Sequence, residues 1–149
     1  MQYEEFRSQL TLDPKGRLTL PVQLRGELAG AGVDRLVGIA AQGALWLFTP
    51  DDYRNIIKGR VRGDDPFATR TSLYLRAVVS TNQTLPLDNA GRVLIPQHLR
   101  ELAHLERDVV MFSSLDWIEV WDKTRWDDQF TRALDAWDAL DAGGKADVR

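Results

Sequence analysis

A fourteen-residue pattern occurs twice in this chain. Leu12-Asp13-Pro14-Lys15-Gly16-Arg17-Leu18-Thr19-Leu20-Pro21-Val22-Gln23-Leu24-Arg25 returns as Leu87-Asp88-Asn89-Ala90-Gly91-Arg92-Val93-Leu94-Ile95-Pro96-Gln97-His98-Leu99-Arg100, displaced by 75 residues, with 7 of the 14 positions identical. Two copies are too few for a stacked solenoid, whose inner units need neighbours on both sides. The repeat therefore predicts a pseudo-symmetric pair folded about one shared core. At 149 residues the chain has room for one such core and little for two.

The elements around each copy follow from local chemistry. Phe6, Ser8, Leu10 and Leu12 share a face at period 2 and predict a strand. Asp13-Pro14-Lys15-Gly16 is a turn, with Pro presetting φ and Gly permitting φ > 0. A strand resumes at Arg17. Pro21 then opens a short helix with Val22, Leu24 and Leu28 on its apolar side, ended by Gly30-Ala31-Gly32. Arg35 to Ala40 and Ala44 to Phe48, split by Gln42-Gly43, read as a hairpin. Thr49-Pro50-Asp51-Asp52 caps the helix after it. In the second copy Asp108 to Ser113 and Trp117 to Trp121 form the hairpin and Asp122 caps a helix, here at an offset of 73. Trp126, Phe130, Ala133, Leu134, Trp137 and Leu140 give that helix an apolar stripe, and a frayed tail is expected from Ala142 onward. The connector, residues 58–80, reads as a loop containing Lys58, Arg60 and Arg62, followed by a helix over Phe67 to Val79.

Composition narrows the function classes. No cysteine is present, which excludes disulfides, Cys-ligated zinc and a Cys nucleophile. Met1 to Leu12 lacks the apolar run of a signal peptide and no segment approaches a membrane span, so a cytoplasmic protein without membrane contact is expected. The net charge of −3 opposes a nucleic-acid partner, but it is unevenly spread: residues 1–74 carry +1 and residues 75–149 carry −4. Local potential, not net charge, steers a phosphate backbone, so converging basic side chains remain compatible with DNA.

The two histidines, His98 and His104, fall in or near the second short helix and read as surface residues. There is no Gly-rich phosphate loop, nucleophile elbow or His/carboxylate metal spacing, so no catalytic residue, metal site or cofactor is expected. The repeated Asp-x-x-x-Arg unit is the sharper feature. Asp13 with Arg17, and Asp88 with Arg92, can form turn locks in which the carboxylate accepts turn N–H groups and the guanidinium clamps it bidentately. The arginines can equally present their donor forks to phosphates or guanine edges. Lys15 stands on the first turn where the second has Ala90, so the first copy is expected to contact DNA more strongly. Arg25 and Arg100 read as solvent-facing or helix-capping, and Trp46, Phe48, Trp117, Trp121 and Trp126 as core or subunit interface.

Two copies of Asp-x-x-Gly-Arg-(apolar)3-Pro-x-x-Leu-Arg, each followed by a hairpin and an aromatic-bearing helix, resemble the MraZ family of bacterial transcriptional regulators over roughly residues 8–130. The resemblance implies an α/β fold in which two pseudo-symmetric AbrB-like swapped-hairpin β modules interleave into one double-ψ-like domain with short peripheral helices. The modules would span residues 6–57 and 81–130, with the connector at 58–80 and a helical extension and tail at 131–149. It also implies a ring-shaped homo-oligomer, located in the cytoplasm and on the nucleoid, that binds short direct repeats of double-stranded DNA in the promoter of its own division and cell-wall gene cluster. Lys15, Arg17 and Arg92 would contact the DNA, with Asp13, Gly16, Asp88 and Gly91 orienting them. Two alternatives stay open on the sequence: an AbrB-like antitoxin or transition-state regulator, and a ring-forming scaffold without promoter binding.

Overall fold

A computed structural model describes residues 1–143. The described elements are β1 (Arg7–Thr11), β2 (Arg17–Thr19), α1 (Val22–Gly30), β3 (Arg35–Ala41), β4 (Ala44–Phe48), α2 (Pro50–Val61), α3 (Thr69–Thr81), β5 (Gln83–Pro86), β6 (Arg92–Leu94), α4 (Gln97–Leu102), β7 (Asp108–Ser114), β8 (Trp117–Asp122) and α5 (Lys123–Gly143). Six strands form one antiparallel sheet in the order β1-β7-β8-β4-β3-β5, and β2 pairs with β6 as a separate antiparallel ribbon. Each half lends its first strand to the other half's hairpin: β1 adds to β7, and β5 adds to β3. Exchanging every strand for its counterpart in the other half gives the same order read backwards. The repeat in sequence is thus a pseudo-twofold in space, centred between β4 and β8.

Alternation along the strands sorts side chains onto the two sheet faces. Leu45 and Leu47 of β4, with Ile118 and Val120 of β8, turn to the main core, where they meet Leu18, Leu20, Leu24 and Leu28 of the first half and Val93, Ile95 and Leu99 of the second. The repeated leucines are buried because the ribbon and the short helices α1 and α4 close over this face. Burying one leucine fully contributes roughly 1.5–3 kcal/mol, so the paired motif is itself a large share of the core.

The opposite face carries a second cluster of Ile39, Phe48 and Val78, with Trp46, Tyr53, Tyr74 and Trp117 partly buried against it. Trp46 stacks on Trp117 at 5.2 Å between ring centroids. Glu119 lies directly across from Trp46 on this face. It is buried, its Oε2 accepting from Trp117 Nε1 at 3.1 Å and its Oε1 from Trp121 Nε1 at 3.0 Å. Burial pushes its pKa up, and the two indole donors oppose that shift.

Most elements fall where the sequence places them, with five local differences. Pro21 is the N-cap of α1, so Val22 becomes the first helical residue and turns to solvent, leaving Leu24 and Leu28 as the buried face. The α2 helix starts as expected, Thr49 Oγ1 accepting from the Asp52 N–H at 3.2 Å, but it continues to Val61. Lys58 and Arg60 therefore ride its last turn instead of a loop, and the Arg60 guanidinium lies 5.5 Å over the Tyr74 ring. Asp122 immediately precedes α5, yet its Oδ1 accepts from the Glu106 N–H at 3.2 Å. The apolar stripe of α5 forms, with Trp126 packed inward against Phe112 at 5.1 Å and Leu140 half-buried, but Phe130, Leu134 and Trp137 are exposed. Finally, α5 runs through Gly143, and the expected frayed tail beyond it lies outside the described residues.

Candidate nucleic-acid interface

The site begins with a turn that only glycine closes easily. Gly16 sits at φ +88° and Gly91 at φ +73°, in the left-handed region where a Cβ is penalised. The Gly16 N–H donates to the Asp13 carbonyl at 2.9 Å, and the Gly91 N–H to the Asp88 carbonyl at 3.0 Å. Each aspartate then locks its turn. Asp13 Oδ1 accepts from the backbone N–H of Lys15 at 2.9 Å and of Arg17 at 2.8 Å, while Oδ2 accepts from Arg17 Nε at 2.6 Å. Asp88 repeats this on Ala90 at 2.9 Å, the Arg92 N–H at 2.8 Å and Arg92 Nε at 2.8 Å. Both carboxyls are held below the ordinary aspartate pKa, above all by the arginine backbone N–H; desolvation opposes this, and the arginine side-chain bond and charge, with the second turn N–H, add to the lowering.

The turn lock is real, but it is not the bidentate clamp the spacing suggested. Each guanidinium meets its carboxylate through Nε alone. Holding by Nε fixes the orientation of the planar group and leaves its two Nη ends outside the ion pair, on side chains that are about a third exposed (34% and 36%). That geometry can present a guanidinium to an outside acceptor.

The ribbon brings the two arginines onto one surface. Leu18 faces Val93, both fully buried, and this pair marks the centre of the ribbon. Arg17 lies opposite Leu94 and Thr19 opposite Arg92, so the arginines occupy diagonal corners of the outward face. Thr19 is exposed and Leu94 is 55% exposed between them. Lys15 is exposed on the first turn and Ala90 on the second. Lys15, Arg17 and Arg92, with Asp13, Gly16, Asp88 and Gly91, are therefore brought together around one short ribbon.

Arg25 and Arg100 are the residues the sequence placed wrongly. Neither caps its own helix or points freely to solvent: each reaches the glycine turn of the other half. A Cβ added at Gly91 would fall 1.9 Å from Arg25 Cδ, and one at Gly16 would fall 2.7 Å from Arg100 Nε. Arg25 Nη1 donates across the halves to the Ala90 carbonyl at 3.3 Å, whereas Arg100, lying against Gly16, donates from Nε to the Ile95 carbonyl of its own half at 3.0 Å. The backbone joins in, the Ile95 N–H donating to the Gly16 carbonyl and the Leu20 N–H to that of Gly91, both at 2.9 Å. The only sequence signal was that both arginines recur at the same place in the repeat. His98 and His104 are exposed, as expected. Among the described residues no group of three or more His, Cys, Asp or Glu is placed to hold a metal ion, and no helix is long and apolar enough to cross a membrane.

Comparison with known proteins gives a consistent result. Residues 79–141 match the family described as "MraZ protein, putative antitoxin-like". The chain is 35% identical to the transcriptional regulator MraZ of Chromobacterium violaceum, over 85% of this chain and 86% of the relative. It is 33% identical to that of Syntrophobacter fumaroxidans, over 82% of each, and 32% identical to that of Treponema denticola, over 75% and 76%. These relatives are named as regulators and not as enzymes, in line with the absence of catalytic motifs from the sequence. Likeness of this extent decides the family: the chain belongs to the MraZ family.

Proposed function

We propose that the chain is a DNA-binding transcriptional regulator that reads double-stranded DNA through the β2–β6 ribbon and its two Asp-locked turns. The observation that carries this reading is the placement of Arg17 and Arg92 at diagonal corners of a two-stranded antiparallel ribbon, each aimed by its aspartate. A ribbon of this kind fits the B-DNA major groove, and arginine is the side chain best suited to the O6 and N7 edge of guanine. Thr19 and Leu94 supply the apolar contacts that suit a thymine methyl group. Lys15, free of the ribbon, serves a phosphate. Gly16 and Gly91 allow the turns to close, and Asp13 and Asp88 orient the arginines.

In the same reading residues 6–57 and 81–130 are AbrB-like modules with interleaved hairpins, joined by the connector 58–80 and extended by 131–149. The exchange of β1 and β5 between halves supports this assignment. Copies of the chain assemble into a ring, so that successive ribbons meet successive direct repeats in the promoter of its own gene cluster. Weak contacts then sum by avidity, and a chain of net charge −3 still binds DNA. Cytoplasmic and nucleoid-associated location follows from that role.

The test is footprinting on the DNA upstream of the chain's own gene. Protection of evenly spaced short repeats is expected. Binding that is indifferent to sequence, or absent at low salt, overturns the reading in favour of a scaffold.

A further inference from the structure

The α5 helix carries an apolar stripe that, among the described residues, is left largely uncovered beyond the stacking of Phe130 on Trp126. Phe130, Leu134 and Trp137, spaced four and three residues apart, share one helical face and are 45%, 50% and 66% exposed. Over 21 residues α5 reaches about 31 Å, well past the strands it leaves. Such a stripe on a surface helix marks a contact with another molecule. Its surroundings are acidic: residues 126–141 contain five aspartates and one arginine, all exposed.

A second surface has the opposite character. Residues 54–76, from α2 into α3, contain six Lys or Arg and two Asp, all exposed. Apolar side chains stand among these charges. Phe67 is exposed before α3, and Leu73 and Val79 are exposed three residues to either side of Arg76 on α3 itself. Both surfaces belong to the same face of the sheet. Trp126 of α5 packs on Phe112, which lies across from Glu119, which lies across from Trp46 in the cluster that α2 and α3 cover. They therefore flank the sheet centre on its two sides.

We propose that α5 of one copy docks on the α2–α3 surface of the next. The occupant is a second copy of this chain because the charges select it. Over its whole length α5 carries −2 and residues 50–81, from α2 through α3, carry +2, so two α5 stripes repel while an α5 stripe and an α2–α3 surface attract. The contact is heterologous, joining different surfaces on the two copies, and such a contact propagates from copy to copy, giving a ring where its rotation closes and an open filament where it does not. This inference rests on the proposed self-association and names the surfaces that carry it.

The experiment uses the full chain, measured by light scattering after size exclusion. Trp137→Glu and Leu73→Glu alter exposed positions, with circular dichroism as the check on folding. Each variant alone is expected to weaken association by about thirtyfold or more, the effect of losing a central aromatic or apolar anchor. Mixed together, the two variants retain one intact surface each and are expected to form a complex of two chains that grows no further. A second pair carries the charge argument: Asp138→Lys and Arg76→Glu each weaken association, and combined in one chain they restore it.

A Leu73→Glu variant that still assembles through α5 alone, or mixed variants that stay apart, overturns the heterologous contact. A wild-type chain that assembles normally but ignores all four substitutions overturns this inference and leaves the ring reading standing. A wild-type chain that is monomeric overturns both.

Discussion

Arg25, on the first short helix, lies against Gly91 in the turn of the second half, its Nη1 3.3 Å from the Ala90 carbonyl. Arg100 lies in the same way against Gly16 in the first. Each half of the chain therefore braces the arginine-presenting turn of the other. The turns are not autonomous loops, because their position depends on how the halves pack.

Gly91→Ala tests this brace. A Cβ there collides with Arg25 Cδ and also forces a side chain onto a left-handed backbone. A loss of about 2–4 kcal/mol is expected, roughly 1–2 from the backbone and the rest from overpacking. In an Arg25→Ala background only the backbone cost should remain. Urea denaturation of the four proteins in this double-mutant cycle should give a coupling of at least about 0.5 kcal/mol. Simple additivity would separate Arg25 from the turn.

Lys15 and Ala90 break the pseudo-symmetry at the candidate interface. Lys15→Ala should weaken binding by a similar factor on every DNA sequence and lower the slope of log affinity against log salt by about 1. Ala90→Lys, at the exposed matching position, should raise that slope by about the same amount. Anisotropy titrations at three salt concentrations measure both. Unchanged slopes would place the turns away from the phosphates.

The locked aspartates should govern the acid limb of stability. Their folded-state pKa values lie below the ordinary 3.8, so their stabilisation is fully present above pH 3.8 and is lost as pH falls through the lower folded-state values. Asp13→Asn keeps an oxygen for the turn N–H groups and removes the charge that meets Arg17. Its unfolding midpoint should vary less with pH below about 4 than that of the wild type. An equally steep acid limb would show that other carboxylates dominate.

Glu119 should act with the opposite sign. Burial raises its folded-state pKa above the ordinary 4.5, so stability from this group falls as pH rises from 4.5 towards the folded-state value. Glu119→Gln removes the buried charge but keeps only one of the two acceptor oxygens, so one indole bond is lost at every pH. Relative to wild type, its unfolding midpoint should therefore be lower at pH 4 and should recover at pH 7, where the wild type carries the cost of the buried charge. A variant destabilised equally at both pH values would mean that the two indole bonds, not the charge, decide.

How far the sequence carried the structure depended on the range of each interaction. The turn lock was legible because Asp13 and Arg17 are four residues apart, and turn chemistry is local. The ribbon was half legible: the repeat implied that β2 and β6 belong together, but the diagonal placement of Arg17 and Arg92 depends on a register set by Leu18 facing Val93. The role of Arg25 was hidden, because its partner glycine lies in the other half and neither residue type announces the contact. The α5 stripe was visible in its periodicity. That Phe130, Leu134 and Trp137 stay exposed among the described residues was not, since period reports a face and not what lies against it.

The central claim is that Arg17, held by Asp13 and free at its Nη ends, reads DNA. Its most direct measurement is a salt-titrated gel shift on the chain's own upstream DNA, comparing wild type with Arg17→Ala, with light scattering and circular dichroism run on the same samples. The expected result is loss of specific binding by the variant while fold and oligomer size are unchanged. Affinity equal to wild type in a folded Arg17→Ala protein would contradict the assignment, and an unfolded variant would make the arginine a structural lock.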